Sequence, residues 1–349
     1  MRFHIPAIPG QQTVYSNSTC AYTQKIMKFM DMMIPRGHEV YVYSGPEFDQ
    51  PRKATEGFKH FNVYEDAVYN GFNIAEWLPH NSKAIPVIEE NFQEGDFLLL
   101  IAGLAQKSIS DAIDTFRVVE FGIGYQGVFA EYKVWESYAW MHTVNGENQG
   151  AYTADGSWYD TVIPNYFDPD DFENIGEGDY YLYIGRLLER KGVRIAAQVC
   201  EKLGVPLKIA GEGDECLGLY GEYVGKIGPE ERKELMGNAI GVFAPSIYME
   251  PFGGVVVEAM LSGTPVLSND WGAMTETIVN GETGFRCKTF GDYLKATQLC
   301  PTLDREAIRQ YAIDRYSLEA VAPLYESFFK QVDDLSGKGW YTEESYNFS

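Results

Sequence analysis

Short apolar runs bounded by Gly, Pro or Ser alternate with longer helical stretches through most of the chain, and this alternation restricts the fold more than any other feature. Strands separated by helices need crossover connections, so the pattern predicts α/β layers on parallel sheets. In the first half, residues 2–7, 39–43, 96–102, 115–121 and 161–163 have strand character, and residues 19–33 and 130–144 predict helices. Pro35 and Gly37 stop the first helix. Residues 44–80 are irregular and aromatic, with no clear period. In the second half, residues 180–184, 207–210, 241–244 and 265–268 predict strands, with helices over 193–203, 229–239 and 253–262. After Asp304 the pattern is wholly helical.

A chain of 349 residues suits two domains. Residues 165–178 are rich in Asp, Glu, Gly and Pro, which sets the boundary there. The expected layout is an N-terminal Rossmann-like domain over 1–165 and a C-terminal Rossmann-like domain over 166–317. A helix over 318–335 is expected to pack back on the first domain, followed by a polar tail over 336–349. Two doubly wound domains joined in this way should leave an interdomain cleft. Open α/β sheets bind ligands at the carboxyl ends of their strands, so function is sought in the strand-to-helix loops.

Composition narrows the partners. An apolar fraction of 45% with 22% charged residues excludes global disorder. There are 11 basic and 20 acidic residues before Asn165, and 17 and 30 from there on, for a net charge of −22. Neither half is basic, which disfavours nucleic acid and anionic membrane but still permits a small cationic pocket. Cys20, Cys200, Cys216, Cys287 and Cys300 form no CxxC pair, as expected of free thiols in a reducing cytoplasm. The chain opens on a strand and turn rather than a signal peptide, and no run approaches the roughly 18 apolar residues of a membrane helix. The expected location is cytoplasmic.

Two segments carry the chemistry. In YMEPFGGVVVEAM (248–260), Gly253 and Gly254 open a helix whose free N–H groups and positive dipole end favour an anion, phosphate above all. Glu250 lies in the loop before it and Glu258 on its second turn. Carboxylates flanking an anion site repel the anion, unless they serve to accept hydrogen bonds from hydroxyls. The plain alternative is an exposed Glu250 and a solvated Glu258. In YIGRLLERKG (183–192), a strand and a glycine are followed by Arg186, Arg190 and Lys191. Arg186 and Lys191 can converge on one anion, the first as a bidentate fork and the second as a point charge. The alternative there is an ordinary basic loop before a helix.

The stretch from Tyr180 to Phe285 resembles family 4 of the nucleotide-sugar glycosyltransferases, which have the GT-B fold. The resemblance rests on IGRLLERKG (184–192), IAGEGDE (209–215), APSIYMEPFGGVVVEAMLSGTPVLSND (244–270) and TIVNGETGF (277–285), in the family's order. VIPNYFDPDDF (162–172) is similar to its domain-crossing segment. The resemblance implies an enzyme that moves a sugar from a nucleoside diphosphate donor to an acceptor hydroxyl, with retention at the anomeric carbon. The donor is a co-substrate, and neither a cofactor nor a metal is implied.

By the same resemblance, Arg186 and Lys191 hold the diphosphate, Glu258 the ribose hydroxyls and Glu250 the donor sugar. Gly253 and Gly254 supply backbone donors. Gly10, Gly185, Phe252 and Val255 complete the donor-binding set, and the base lies near Gly225, Lys226 and Ile227. Arg186, Lys191 and Glu250 are the residues expected to act in transfer.

The first half departs from the family. Many members have paired glycines after the first strand, where this chain has PGQQT (9–13), with Gly10 alone suited to approach a phosphate. Many also carry a His at a later strand end, where this chain reads EFGIG (120–124). His142 follows in a predicted helix beside Trp140 and Met141, a setting more typical of a packed His.

Residues 122–127, GIGYQG, are a literal GxGxxG, but a lone one late in its domain, better suited to lining a cleft than to binding a dinucleotide. Gly122, Gly124, Tyr125, Lys133 and His142 are therefore acceptor candidates. Glu131, Trp135 and Glu136 could face an acceptor or form a solvated helix face. DPDD (168–171) mimics a metal-gripping DxD motif but follows a turn, and no HExxH, CxxC or EF-hand pattern occurs. Alternatives to transfer are an epimerase-like sugar-nucleotide enzyme, a nucleotide-dependent dehydrogenase, or a non-catalytic nucleotide- or glycan-binding protein. Donor sugar, base, acceptor and oligomeric state are not set by the sequence.

Overall fold

A computed structural model describes residues 1–17, 20–64, 74–149, 158–176, 178–213, 218–335 and 337–338. Cys216, parts of the 209–215 motif and most of the expected tail lie outside the described residues. The chain divides into two units. One comprises Met1–Glu136, Thr143–Pro164 and Val321–Ser349; the other comprises Ser137–His142 and Asn165–Ala320.

The first unit contains Arg2–Pro6 (β1), Ala21–Met33 (α1), Glu39–Ser44 (β2), Phe58–Asn62 (β3), Ile74–Asn91 (α2) and Phe97–Leu100 (β4). Lys107–Ala112 (α3), Val118–Ile123 (β5), Tyr132–Trp135 (β6), Tyr138–Gln149 (α4) and Thr161–Val162 (β7) follow. The strands form one parallel sheet in the order β3-β2-β1-β4-β5-β6-β7. Its central strands are buried on both faces, with Phe3, Ile5, Val40, Val42 and Leu98–Leu100 all fully buried, as a sheet covered by helices on both sides requires.

The second unit contains Tyr181–Ile184 (β8), Val193–Leu203 (α5), Leu207–Ala210 (β9), Glu222–Gly225 (β10), Pro229–Asn238 (α6) and Gly241–Ala244 (β11). Gly254–Leu261 (α7), Val266–Asn269 (β12), Met274–Thr277 (α8), Gly284–Cys287 (β13), Phe290–Leu299 (α9) and Arg305–Tyr316 (α10) complete it. Its parallel sheet runs β10-β9-β8-β11-β12-β13. Both sheets start near their middle, build outward to one edge, then return to build the other. This is the doubly wound, Rossmann-like order expected from the sequence.

Leu318–Asp334 (α11) then returns to the first unit. Phe329 packs 4.7 Å from Phe3 and 5.2 Å from Phe97, and Tyr325 packs 5.9 Å from Phe29.

One element differs from expectation. The helix predicted over 130–144 is β6 followed by α4. Tyr132, Val134 and Trp135 are an aromatic and β-branched run, buried and paired to β5 and β7. The helix starts only after Ser137, whose hydroxyl accepts from the Trp140 N–H at 3.0 Å, a serine cap. Lys133 and Trp135 are therefore strand residues, and no helix face carries Glu131, Lys133 and Glu136. Residues 44–80, left without a period, contain β3 and the start of α2. Pro79 and Pro86 lie inside that helix.

Candidate active site

The second sheet reverses its winding between β8 and β11, and the loops after these two strands meet at their carboxyl ends. The loop after β8 carries Gly185, Arg186 and Lys191; the loop after β11 carries Ser246, Tyr248, Glu250 and Gly253. Gly192 holds the first loop close to the second. Its φ is +77°, and a Cβ there would fall 2.2 Å from the Pro245 carbonyl oxygen.

Lys191 Nζ lies 2.5 Å from Glu250 Oε1 and donates to the Tyr248 hydroxyl at 2.9 Å. That hydroxyl donates in turn to Glu250 Oε2 at 2.6 Å, and Ser246 Oγ donates to Oε1 at 2.6 Å. Both Glu250 oxygens are thus engaged by groups of its own loop and by Lys191. The pair is only 19% and 11% exposed, so its attraction is less screened than that of a surface ion pair. Burial, then the adjacent Glu250 carboxylate, pushes the Tyr248 phenol up, and it stays a proton donor at neutral pH. The Arg190 guanidinium lies 4.9 Å from the centre of the Tyr248 ring. Arg186 is exposed, with its charge acting on Tyr248.

The loop ends at α7. Gly253 caps that helix in the left-handed region at φ +79°, and no side chain caps the first turn; the Val256 N–H donates to the Gly253 carbonyl at 2.9 Å, which leaves the Gly254 and Val255 N–H groups available to a ligand. A Cβ on Gly253 would lie 2.3 Å from Met274 Cε. Gly254 and Val255 are half-buried, whereas Phe252 is buried and stacks on Phe167 at 6.4 Å, part of the core under the loop. Glu258, one turn into α7, pairs with Arg232 of α6 at 3.3 Å. Gly225 ends β10 with φ +88°, next to Ile227 and to Lys226, which pairs with Glu212 at 3.3 Å.

The remaining candidates are more dispersed. Gly10 is exposed after β1 with φ +74°. Residues 122–127 run from β5 to β6 without opening a helix, so the phosphate-binding context of GxGxxG is missing. Gly122 sits against Lys25, whose ammonium donates to the Gly122 carbonyl and pairs with Glu136. A Cβ on Gly124 would fall 2.6 Å from Glu136 Oε2. Tyr125 is buried and donates to Glu120 at 3.3 Å, and burial raises the Glu120 carboxyl. Lys133 pairs with buried Asp160 at 3.0 Å. These contacts tie Tyr125 and Lys133 into the interior. His142 is exposed on α4, its ring 6.3 Å from that of Tyr138. Asp168 caps the short turn Pro169–Asp171, accepting from the Asp170 N–H at 3.1 Å.

Ser246, Tyr248, Arg232 and Lys25 were not singled out from sequence. Tyr248 stands two residues before Glu250, a spacing that hints at a shared loop; the partnerships of Arg232 and Lys25 have no local signature.

Residues 167–296 match the family model described as glycosyl transferases group 1. The chain is 35% identical to a glycogen synthase of Mycobacterium tuberculosis over 122 residues, 30% of this chain and 29% of the relative. It is 28% identical to a phosphatidyl-myo-inositol mannosyltransferase of the same organism over 209 residues, 51% of this chain and 54% of the relative. The chain thus spans about half or less of these curated relatives.

Among solved structures, AviGT4, a glycosyltransferase involved in avilamycin A biosynthesis, superposes with TM-score 0.69 at 18% identity, covering 95% of this chain and 98% of the other. Anabaena Alr3699/HepE, in complex with UDP and glucose, superposes with TM-score 0.67 at 15% identity, covering 95% and 100%. The fold is GT-B, and the family match falls within its second unit. No helix among the described residues is long and apolar enough to cross a membrane.

Proposed function

We propose that this protein is a retaining, metal-independent glycosyltransferase of the Glu-x7-Glu type, family 4, acting in the cytoplasm. It moves a sugar from a nucleoside diphosphate donor to an acceptor hydroxyl. One observation carries the reading: Lys191 and Glu250 meet beside an uncapped helix N-terminus at the winding reversal of the second sheet. A cation and backbone N–H groups suit a diphosphate, and a fixed carboxylate suits sugar hydroxyls.

In this reading the sugar–phosphate bond breaks through an oxocarbenium-like state while negative charge grows on the leaving diphosphate. Arg186, Lys191 and the first turn of α7 neutralise that charge, so positioning and electrostatics supply most of the acceleration. Glu250, held by Ser246 and Tyr248, orients the donor sugar, and Glu258 with Arg232 orients the ribose. The donor phosphate accepts the acceptor's proton.

A thermal-shift panel of nucleoside diphosphate sugars tests the reading. At least one donor should raise the melting temperature of the wild type and not of a Lys191→Ala variant. No shift with any donor would overturn it.

A further inference from the structure

A cavity of about 490 Å³ opens in the same unit, and neither Lys191 nor Glu250 lines it. It lies where the chain leaves β12 and β13, at strand carboxyl ends, the usual ligand side of such a sheet. Three large apolar side chains that the fold leaves exposed line this one concavity: Ile247 at 52%, Trp271 at 42% and Phe290 at 44%. Scattered exposed hydrophobics need no explanation, but their convergence on one cavity marks a binding surface. The wall is also polar. Gln198, Asp270 and Lys288 line it, and Asp270 and Lys288 pair at 3.2 Å, which leaves little net charge. The Gln198 amide and the Trp271 indole N–H have no hydrogen-bond partner among the described residues.

We propose that this cavity binds a neutral pyranose chain, at a subsite separate from the donor's. A pyranose presents an apolar C–H face and a rim of hydroxyls. Trp271 and Phe290 offer flat faces for the first, and Gln198, Asp270 and Lys288 offer hydrogen-bonding groups for the second. A lipid tail would cover the Gln198 amide and the Trp271 indole N–H without giving them partners, and a polyanionic glycan would meet a chain of net charge −22. Asn269 joins the cavity to the Glu250 loop. It lines the wall, accepts from the Tyr293 hydroxyl at 2.5 Å and donates to the Ser246 carbonyl, next to the hydroxyl that holds Glu250. The inference rests on the glycosyltransferase reading only for the use of a bound glycan; binding itself is independent of it.

The test titrates maltohexaose, cellohexaose and mannohexaose into the full chain and into Trp271→Ala, Trp271→Phe and Gln198→Ala, by calorimetry. Uridine and guanosine diphosphates are titrated in parallel. At least one hexasaccharide should bind the wild type with millimolar affinity or better. Trp271→Ala should weaken it by about tenfold, Trp271→Phe much less, and Gln198→Ala measurably. Nucleotide binding should be equal in all four proteins. Absence of hexasaccharide binding, or binding unchanged in both Trp271→Ala and Gln198→Ala, would overturn the subsite. So would loss of nucleotide binding in Trp271→Ala, which would assign the cavity to the donor. Hexasaccharide binding together with no shift by any donor of the thermal-shift panel would sink the transferase reading and leave the subsite standing.

Discussion

Lys191 and Glu250 sit 2.5 Å apart, and the Tyr248 hydroxyl touches both, accepting from the ammonium and donating to the carboxylate. A diphosphate that claims Lys191 takes a cation away from Glu250. The carboxylate then keeps its place through Tyr248 and Ser246, so the loop need not rearrange when the ligand arrives.

The first expectation concerns the cations. Arg186→Ala or Lys191→Ala should lower kcat/KM by about 10²–10³, since each removes a donor aimed at growing charge. Arg186 is exposed, so its variant should melt close to the wild type, whereas Lys191→Ala takes the cation from the largely buried Glu250 and should lower the melting temperature. Near-normal transfer by the double variant, in steady-state kinetics, would remove the clamp from the mechanism.

The two glutamates should separate by ligand. In its proposed role at the ribose, Glu258→Gln should weaken the bare nucleoside diphosphate as well as the donor, each charged hydrogen bond being worth roughly 1.5–3 kcal/mol. Glu250→Gln should leave the bare nucleotide nearly unaffected and depress kcat, because its proposed partner is the sugar. Arg232→Ala should resemble Glu258→Gln, as it frees the same carboxylate. Calorimetry beside kinetics decides. Equal weakening of the bare nucleotide by both Gln variants would show the roles to be misassigned.

Metal independence has a direct check. With Arg186, Lys191 and α7 supplying the positive charge, saturating EDTA should leave most of the activity. Complete loss restored by Mn²⁺ would move attention to Asp168–Asp171.

In the first unit, His4 is fully buried between Tyr43 at 2.8 Å and Asp96 at 3.0 Å, with Arg2 also close to Asp96. Burial pulls its pKa down to about 4, against 6.5 for a free His. Between those values the unfolded chain binds the extra proton, so stability is whole above pH 6.5 and falls as pH drops toward 4. The loss from this one group reaches about 3 kcal/mol. Melting temperatures from pH 4 to 8 should decline more steeply in the wild type than in His4→Gln. Parallel declines would exclude His4 as the cause.

Much of the architecture was legible because buried parallel strands are short, apolar and punctuated. Residues 207–210 and 241–244 match β9 and β11 residue for residue. Reading failed where local preference and tertiary context disagree. Two prolines disguise α2, β6 runs into α4 with only Glu136 and Ser137 between them, and the polar FKHFN of β3 lies at an edge of its sheet where little is buried. The site divides in the same way. Lys191 and Glu250 belong to motifs with fixed local spacing. Arg232 reaches Glu258 from another helix, and Lys25 reaches Glu136 across most of the first unit. Such pairings come from topology, which no local window of sequence contains.

The return of α11 sets an order of events at the ribosome. Phe3, Phe29 and Phe97 are translated early, but the Phe329 and Tyr325 rings that cover them come after the whole second unit. At about 5–20 residues per second, the nascent first unit waits many seconds with that aromatic face uncovered. The second unit, uninterrupted from Asn165 to Ala320 and needing only the already translated Ser137–His142 from outside that stretch, can close first. A helix made after the second unit thus completes a unit begun before it, and a translation product interrupted ahead of α11 would be most vulnerable to chaperone capture and proteolysis in its first unit.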